Sequence, residues 1–354
     1  MNYHDKVVWG DHTTSLFAPS EPFLVATDGV RILSIPGASQ SFLLGLLEFA
    51  RPTPQGYTRH FSLLAEKTIS LPLSTKEQEK IGTFFRALDE LIAAREEELE
   101  KLRQMKAALL DAMFPNDAPV ERVTSATAHT LYDSLLDHTL QAWDIVPTEP
   151  STPHTPRLRF RGFTDPWQRM RLGDITTYSK GNGYSKSDLK DEGIPVILYG
   201  SLYTDYRSEI NDVNTFTDSS DGATLSGGGE VIVPASGETA EDIARASVIK
   251  VSNVIIGGDL NIIYPDSVID SLFLALEITY GQCHDALVKK AQGTSVIHLH
   301  CNDIEELDCS FPSLAEQKQI GAFFRSQDEG IATATEQIDK LKRIKQACLK
   351  QMFV

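Results

Sequence analysis

The sequence is poor in cysteine, and none of its cysteines stands at metal-binding spacing. Four cysteines occur among 354 residues, all in the last quarter of the chain: Cys283, Cys301, Cys309 and Cys348. No two of them form a Cys-x-x-Cys pair, and the nearby His298 and His300 complete no structural zinc pattern. We therefore expect reduced thiols, neither a disulfide scaffold nor a zinc finger, and no metal site.

Long apolar runs and a secretion signal are also lacking. The longest apolar stretch, Ser41 to Ala50, is much shorter than the roughly 20 residues that a membrane helix needs. The first residues, MNYHDKVVWG, show no signal-peptide pattern. The sequence thus predicts a cytoplasmic protein without membrane contact. A prior of about 150 residues per domain predicts two domains.

Positive charge is scarce. The chain has 33 Lys and Arg residues against 49 Asp and Glu residues, which gives a net charge of −16. A protein that holds nucleic-acid phosphates unaided usually carries a basic patch and a basic overall balance. Composition by itself therefore argues against an autonomous nucleic-acid-binding protein.

Catalytic motifs are lacking as well. The run Gly227-Gly228-Gly229 is not followed by the Lys-Ser/Thr that a phosphate-binding P-loop requires. No Ser/His/Asp set and no carboxylate pair stands out from the acidic background. The sequence therefore predicts no enzyme activity.

A 38-residue segment occurs twice. Glu77–Phe114 and Glu316–Phe353 align without a gap at an offset of 239, and 19 of the 38 positions are identical. Each copy begins with a Ser-x-x-Glu capping box and is preceded by a proline two residues or one residue before the serine, which is typical of a helix N-terminus. We expect one long helix over residues 74–114 and another over 313–354.

Apolar residues recur along both helices in the heptad rhythm of a coiled coil. The first seam contains Ile81, Phe85, Leu88, Ile92, Leu99 and Leu102, and the second contains Ile320, Phe324, Ile331, Ile338 and Leu341. Lys106 and Lys345 interrupt the two seams at equivalent positions, where they would set register and orientation. Helices related by a pseudo-two-fold axis pair antiparallel. Alternatively, each helix covers only its own domain.

The repeat extends upstream of both helices, but unequally. In each copy a strand leads into a polar turn, a glycine-centred hairpin and a helix. The second copy continues upstream to residue 157, and about 74 of its residues have no counterpart in the first copy. We expect a partial domain over residues 1–73 and a complete one over 157–312. Between them, residues 115–156 are predicted to be a mostly irregular linker with one amphipathic stretch.

Several ordered motifs carry a family resemblance. The segments PRLRFRGF, KGNGYSKSDLK, VIVPASGETAEDIA, AQGTSVIHLH and FPSLAEQKQIGAFF together resemble the specificity subunit of type I restriction-modification systems. The resemblance implies an α+β fold in which two target-recognition domains, here with a partial first one, are separated by two long antiparallel coiled-coil helices.

The resemblance also implies a function in phage defence. In that family each recognition domain reads one half of a bipartite target on double-stranded DNA. The subunit is not catalytic and binds no cofactor itself. It docks methyltransferase (modification) subunits, which use S-adenosylmethionine, and in the full complex restriction subunits, which use ATP and Mg²⁺.

One stretch of the second domain is the richest candidate for DNA contact. Basic and amide side chains can contact phosphates and base edges, and tyrosine hydroxyls commonly contact the backbone. The candidates are Lys180, Asn182, Tyr184, Lys186, Tyr199, Tyr203, Tyr206 and Arg207. The alternative is that the tyrosines are ordinary strand residues packed on a sheet.

A second candidate is the polar turn that follows a hydrophobic strand in each copy, because loops on a rigid scaffold carry function. The turn residues are Ser236 and Thr239 in the second domain, and His12, Thr13 and Thr14 in the first. The alternative is a solvated hairpin.

The sequence therefore predicts a DNA sequence-recognition subunit whose partners supply most of the phosphate contacts and the catalytic activity. A second interpretation is a scaffold or competitor that binds the methyltransferase without reading a bipartite target. A third is self-association, in which two chains each contribute the complete domain and read an inverted repeat.

Overall fold

A computed structural model describes residues 3–25, 29–56, 58–115, 129–148, 155–291 and 297–353. The chain forms two compact units. The first comprises Met1–Lys101 with Ile331–Val354, and the second comprises Leu102–Gly330. Each long helix therefore contributes one part to each unit. Within the described ranges, no helix has the length and apolar character needed to cross a bilayer.

The first unit is built on a three-stranded antiparallel sheet with the order β2-β1-β3. Its elements are β1 (Val7–Gly10), β2 (Leu16–Phe17), β3 (Val30–Leu33), α1 (Gln40–Ala50), α2 (Phe61–Ala65) and the first part of α3 (Thr75–Met113). Ser39 caps α1 by accepting a hydrogen bond from the Phe42 N–H. Leu43 and Leu47 of α1 pack with Val7 of the sheet and form one small core.

The two long helices run antiparallel in this unit. Lys345 lies 2.6 Å from Asp89, and Lys342 lies 2.7 Å from Glu96, so positions that rise along one helix fall along the other. Phe85 and Phe353 stack with ring centroids 6.0 Å apart at the end of this pair. The alternative in which each helix covers only its own domain is therefore wrong.

The second unit contains most of the strands. Before its main sheet lie α4 (His129–Ala142), β4 (Ile145–Pro147), β5 (Leu158–Phe160), β6 (Gln168–Arg171) and α5 (Leu172–Ile175). Then follow β7 (Thr176–Lys180), β8 (Ile194–Ile197), α6 (Ser201–Thr204), β9 (Glu209–Ile210), β10 (Phe216–Thr217), β11 (Val231–Pro234) and β12 (Ser236–Gly237). A 3₁₀ turn covers Lys186–Asp188.

The remaining elements complete this unit and lead into the second long helix. They are α7 (Ala240–Ile243), β13 (Ser247–Ile249), β14 (Ile255–Ile256), β15 (Leu260–Pro265), α8 (Ser271–Tyr280), α9 (Gln282–Lys290), β16 (Ile297–His298), α10 (Cys301–Glu305), β17 (Asp308–Phe311) and α11 (Leu314–Met352).

A five-stranded sheet with the order β7-β15-β11-β13-β9 is the centre of the second unit. All four residues of β11 are buried, as are eight consecutive residues of α8, because strand and helix lie inside one core. A smaller sheet, β10-β8-β14, lies beside a second cluster of isoleucines and leucines. This burial explains why β11 and the first part of α8 are rich in apolar residues.

The sheet of the first unit repeats the middle of the larger sheet. In both units a central strand (β1 or β11) pairs antiparallel with one short strand (β2 or β13) and one longer strand (β3 or β15), and a capped helix follows (α1 or α8). The predicted α+β class, the repeat and the antiparallel helices are thus confirmed. Among the described residues, the sheet of the first unit has three strands, whereas the main sheet of the second unit has five.

The seam prediction holds at most positions. Phe85, Ile92, Leu99, Ile320, Phe324 and Ile338 are buried, and Ile81, Leu88, Leu102, Ile331 and Leu341 are partly buried. Partial burial is expected for two helices whose seam is covered from one side only.

The predicted linker needs correction. The predicted amphipathic stretch coincides with the helix α4, but residues 129–148 as a whole are not an irregular tether, because β4 follows α4 and Leu140 and Ile145 pack into the core of the second unit. The strand β4 is held by antiparallel pairing with β5, a partner that a local sequence window does not reveal. Residues 116–128 and 149–154 of the predicted linker lie outside the described ranges.

The expectation of four reduced cysteines is also wrong. Cys283 of α9 and Cys309 of β17 form a disulfide across 26 residues of chain, with their Cα atoms 6.0 Å apart. Cys301 and Cys348 are free. The pair escaped prediction because only the packing of α9 against β17 brings the two sulfurs together.

Candidate nucleic-acid interface

Two loops of the second unit meet to form an open cleft of about 440 Å³, which we call the loop cleft. It is lined by Asn182, Gly183, Tyr184, Ser187, Asp188, Lys190, Thr217, Asp218, Ser219, Asp221 and Gly222. Hydroxyl, amide and carboxylate groups dominate this lining. Such groups can read base edges, because they donate and accept hydrogen bonds in fixed directions.

Asn182 and Tyr184 fasten the two loops to each other. The Asn182 side-chain amide donates to the Gly222 carbonyl at 2.7 Å, and its oxygen accepts from the Thr224 N–H at 3.2 Å. The Tyr184 hydroxyl donates to the Ser219 carbonyl at 2.9 Å. Both predicted contact residues therefore lie at the cleft, where they shape it.

Glycine is required where the first loop begins. A Cβ atom at Gly181 would lie 2.0 Å from the Gly257 carbonyl oxygen, so a side chain there would displace the backbone. Gly183 and Tyr184 follow in the left-handed region, with φ values of 56° and 53°. The chain then enters the 3₁₀ turn, where the Ser185 N–H donates to Asp188 at 2.7 Å and holds the pKa of that carboxyl below its usual range.

Lys180, Lys186 and Lys190 are exposed cations of this region, and they differ in their partners. Neither Lys180 nor Lys186 has an ion-pair partner among the described residues, whereas Lys190 lies 3.4 Å from Asp218. An exposed ammonium without a carboxylate partner is free to neutralise a phosphate. The acidic lining of the cleft, by contrast, repels phosphate. Lys180 and Lys186 lie within two residues of the lining residues Asn182 and Ser187 in the sequence, and we call these two lysines the rim of the cleft.

The next predicted residues lie around α6. Tyr199 is 39% exposed, and its ring meets that of Tyr203 edge-on at 6.0 Å. The Tyr203 hydroxyl donates to the Ser236 carbonyl at 2.6 Å, and burial raises the pKa of this phenol. Tyr199 thus lies at the surface and packs against Tyr203, whose hydroxyl is fixed by its hydrogen bond to Ser236.

Two other predicted residues have structural roles. Tyr206 is partly buried, and its hydroxyl donates to the Ala246 carbonyl at 3.1 Å. Arg207 donates to Asp212 at 2.7 Å and also lies 3.5 Å from Asp205. The structure therefore does not support DNA contact by Tyr206, and it shows the charge of Arg207 already neutralised.

The predicted turn after β11 is likewise committed to the fold. Ser236 is buried within β12, which pairs with β16. Thr239 caps α7, accepting from the Asp242 N–H at 3.1 Å and donating to its carboxylate at 2.7 Å. The turn therefore has a structural role in the unit, and Thr239 is its exposed residue.

In the first unit, the buried side chain of Asp11, which the sequence places at the start of the polar turn, holds the turn after β1 in place. Asp11 is buried and accepts from the Phe61 N–H at 2.7 Å, while Arg31 lies 3.6 Å away. Although burial opposes it, these interactions hold the pKa of Asp11 below its usual range. A short polar residue directly after a buried strand was the available signal.

The predicted contact residues of this turn point in different directions. Thr14 is buried with a φ of 52°, and a His12 ring nitrogen lies 3.1 Å from the Thr58 carbonyl oxygen. Thr13 is exposed and shares a hydrogen bond with the Ser15 hydroxyl at 2.7 Å. Of the three, Thr13 is the most available to a ligand.

One buried cluster has potential metal ligands. Glu277, Cys283 and Cys309 each place a ligand atom within 4.8 Å of the others. The two sulfurs are bonded to each other, however, and a metal requires thiolates. Complete burial raises the pKa of Glu277 to about 8, which keeps this carboxyl protonated near neutral pH.

The sequence of the chain matches a known protein family over most of the second unit and most of the second long helix. The family model of the type I restriction modification DNA specificity domain matches residues 164–343, just over half of the chain. The chain belongs to this family. The resemblance found in the sequence motifs is thereby confirmed.

Relatives of the specificity family agree with this assignment. The chain is 22% identical over 187 residues to the specificity subunit of the type I restriction enzyme MjaVIII from Methanocaldococcus jannaschii. That match covers 53% of this chain and 42% of the relative, so the chain spans less than half the length of the curated relative it matches.

Two solved structures share the fold. The crystal structure of the S subunit of a type I restriction-modification system from M. genitalium matches with a TM-score of 0.58 and 13% identity, covering 100% of this chain and 84% of that one. A chain from a study of complex assembly and conformational transition of the type I R-M system matches with a TM-score of 0.53 and 15% identity, covering 98% and 81%. At these identities the likeness is one of fold.

Proposed function

We propose that this chain is the DNA sequence-recognition subunit of a type I restriction-modification complex. Its membership of the specificity-domain family is the observation that carries the proposal. The repeated sheet-and-helix unit supports it, because two similar units on paired helices suit a target with two separate half-sites. The chain would direct methyltransferase and restriction subunits to that target.

The loop cleft and its rim are the proposed reading surface of the second unit. Lys180 and Lys186 contact phosphates and set the position on the duplex, and the polar groups of the cleft read base edges. Tyr199 adds an exposed aromatic hydroxyl beyond the cleft. Asn182 and Tyr184 hold the two loops of the cleft together, and Tyr203 packs against Tyr199.

Because the chain is acidic, other subunits would have to provide part of the affinity for DNA. With 33 basic against 49 acidic residues, the chain neutralises few phosphates, and phosphate neutralisation supplies much of the affinity of DNA-binding proteins. We propose that methyltransferase subunits supply the missing positive charge. The same partners would use S-adenosylmethionine, and the restriction subunits ATP and Mg²⁺, with no cofactor on this chain.

A second candidate function is supported by the smaller sheet of the first unit. That unit has three sheet strands and presents Thr13 alone of its three predicted contacts. A chain of this kind reads one half-site, and either two chains read an inverted repeat or the chain serves as a scaffold that competes for methyltransferase.

Mapping of methylated DNA tests these functions. The chain is co-expressed with the type I methyltransferase subunit of its own host, and modified bases are located across the genome. Two different half-sites at fixed spacing support the bipartite reader, and an inverted repeat of one half-site supports the paired reader. Loss of methyltransferase activity with no new modified site supports the competitor and overturns sequence recognition.

A further inference from the structure

The helix pair of the second unit has one side that is fully packed, which we call the covered surface. It comprises Met105, Met113, Glu316 and Phe323, each at most 3% exposed. The segment from α4 to β5 supplies the cover. Trp143 and Phe160 place their rings 5.2 and 6.0 Å from the ring of Phe323, both edge-on.

Polar contacts complete this cover. Arg159 grips Glu316 with two hydrogen bonds of 2.8 and 2.7 Å, and both side chains are buried. The Thr139 hydroxyl lies 3.4 Å from the sulfur of Met105. A fork-shaped pair of this kind adds geometric specificity to the apolar contact. The chemistry of the cover is thus an arginine beside an aromatic residue on a short strand, with a tryptophan upstream.

In the first unit, the equivalent surface has no comparable cover from the described residues. At the constant offset of 239, the equivalent residues are Glu77, Phe84, Ile344 and Met352, which we call the bare surface. Phe84, Ile344 and Met352 are 41%, 42% and 38% exposed, and Glu77 is exposed with no ion-pair partner among the described residues. Four positions that are closed in one unit are therefore open in the other.

The two surfaces have the same supporting framework. Lys345 pairs with Asp89 in the first unit as Lys106 pairs with Asp328 in the second, so the helices keep the same register beneath both surfaces. Exposed apolar side chains whose equivalents are packed in a related unit are candidates for an interaction site. A carboxylate at one edge of such a site selects a cationic partner group.

We propose that the bare surface docks a segment of a separate polypeptide with the chemistry of residues 139–161. Its arginine would pair with Glu77, and its aromatic side chains would cover Phe84. Because the cover of the second unit is already engaged with Glu316 and Phe323, the chain cannot close the bare surface with that same segment. This protein-docking role goes beyond DNA recognition and does not depend on it.

A labelled peptide tests the proposal on the full chain. The peptide has the sequence of residues 139–163, TLQAWDIVPTEPSTPHTPRLRFRGF, and fluorescence anisotropy follows its binding. We expect saturable binding that Phe84→Ala weakens by about tenfold, the effect of removing one buried apolar side chain. Leu63→Ala is the matched control, since Leu63 is an exposed apolar residue of the same unit outside the bare surface.

Exchanging the charges of the proposed ion pair distinguishes a lost contact from a misfolded variant, because a misfolded chain would not regain binding to the altered peptide. Glu77→Arg should weaken binding of the natural peptide, and a peptide carrying Arg159→Glu should bind that variant more tightly than it binds the unaltered chain. Binding that ignores both substitutions overturns the proposal, because the peptide would then occupy another site. A chain that self-associates in solution through Phe84 also overturns it, because a second copy would be the occupant.

Discussion

Lys345 donates a hydrogen bond to Asp89 across the two long helices, and the repeat forms the same contact between Lys106 and Asp328. Each lysine and each aspartate has its counterpart 239 residues away. In a parallel pair at equal register, Lys106 would face Lys345, and like charges would meet. Antiparallel pairing instead brings each lysine to an aspartate, so these half-buried contacts set direction and register together.

Removing one of these lysines should destabilise the first unit. Lys345 also lies 2.6 Å from Glu48. Burial lowers the pKa of Lys345, but the hydrogen bonds that its ammonium donates to Asp89 and Glu48 outweigh this and raise it. We expect Lys345→Ala to lower the free energy of unfolding by about 2 kcal/mol, because Asp89 and Glu48 lose their shared cation. Urea unfolding followed by circular dichroism measures the change.

Lys340→Ala is the matched control for that experiment. Lys340 is an exposed lysine of the same helix without an ion-pair partner among the described residues, so its loss should change the unfolding free energy by less than about 0.5 kcal/mol. Equal effects of the two substitutions would contradict a register role for Lys345.

Stability should fall as the pH rises because of Glu277. Its carboxyl has a pKa of about 8 when folded, raised by burial from an ordinary value of 4.5. Between these values the unfolded chain loses a proton that the folded chain keeps, so the stabilising contribution is complete below pH 4.5 and declines as pH rises to about 8.

Glu277→Gln should remove this decline. We expect the substitution to raise the free energy of unfolding at pH 8 relative to its effect at pH 5, by up to about 1.4 kcal/mol for each pH unit of the interval. Urea unfolding at several pH values measures it, with the exposed Glu238→Gln as control. Identical pH profiles for Glu277→Gln and the unaltered chain would show that Glu277 does not cause the decline in stability.

The disulfide should be measurable both chemically and thermodynamically. When the chain is denatured without reductant, an alkylating reagent should modify Cys301 and Cys348, and all four cysteines after reduction. Reduction releases a link across 26 residues and should cost about 3 kcal/mol of stability on chain-entropy grounds. Alkylation of four cysteines before reduction would show that the pair is not bonded.

Lys186 and Arg207 should differ in DNA binding. Lys186 is exposed without an ion-pair partner among the described residues, whereas Arg207 is bound to Asp212. In the assembled methyltransferase complex, Lys186→Ala should weaken binding and reduce the slope of log affinity against log salt by about 0.9, the value for one phosphate contact. Arg207→Ala should leave that slope unchanged. Anisotropy titrations at several salt concentrations measure both, and an unaltered slope for Lys186→Ala would exclude the contact.

Local signals determined much of the architecture before any contact was known. Capping boxes at Ser74 and Ser313, together with the heptad seam, predict both long helices, because a helix forms from interactions within a few residues of chain. The exact offset between the copies predicts their equivalence. Antiparallel pairing followed from that symmetry.

The side-chain roles within the site depended on residues far away in the chain. Tyr206 and Ser236 are residue types that commonly contact DNA. The Tyr206 hydroxyl instead donates to the Ala246 carbonyl, 40 residues further along the chain, and Ser236 lies in β12, which pairs with β16. The joining of Cys283 to Cys309 and of β4 to β5 is equally non-local. Sequence alone thus determined the repeated helices and the family, and tertiary structure decided which polar groups remain at the surface, because burial is set by partners that no local window contains.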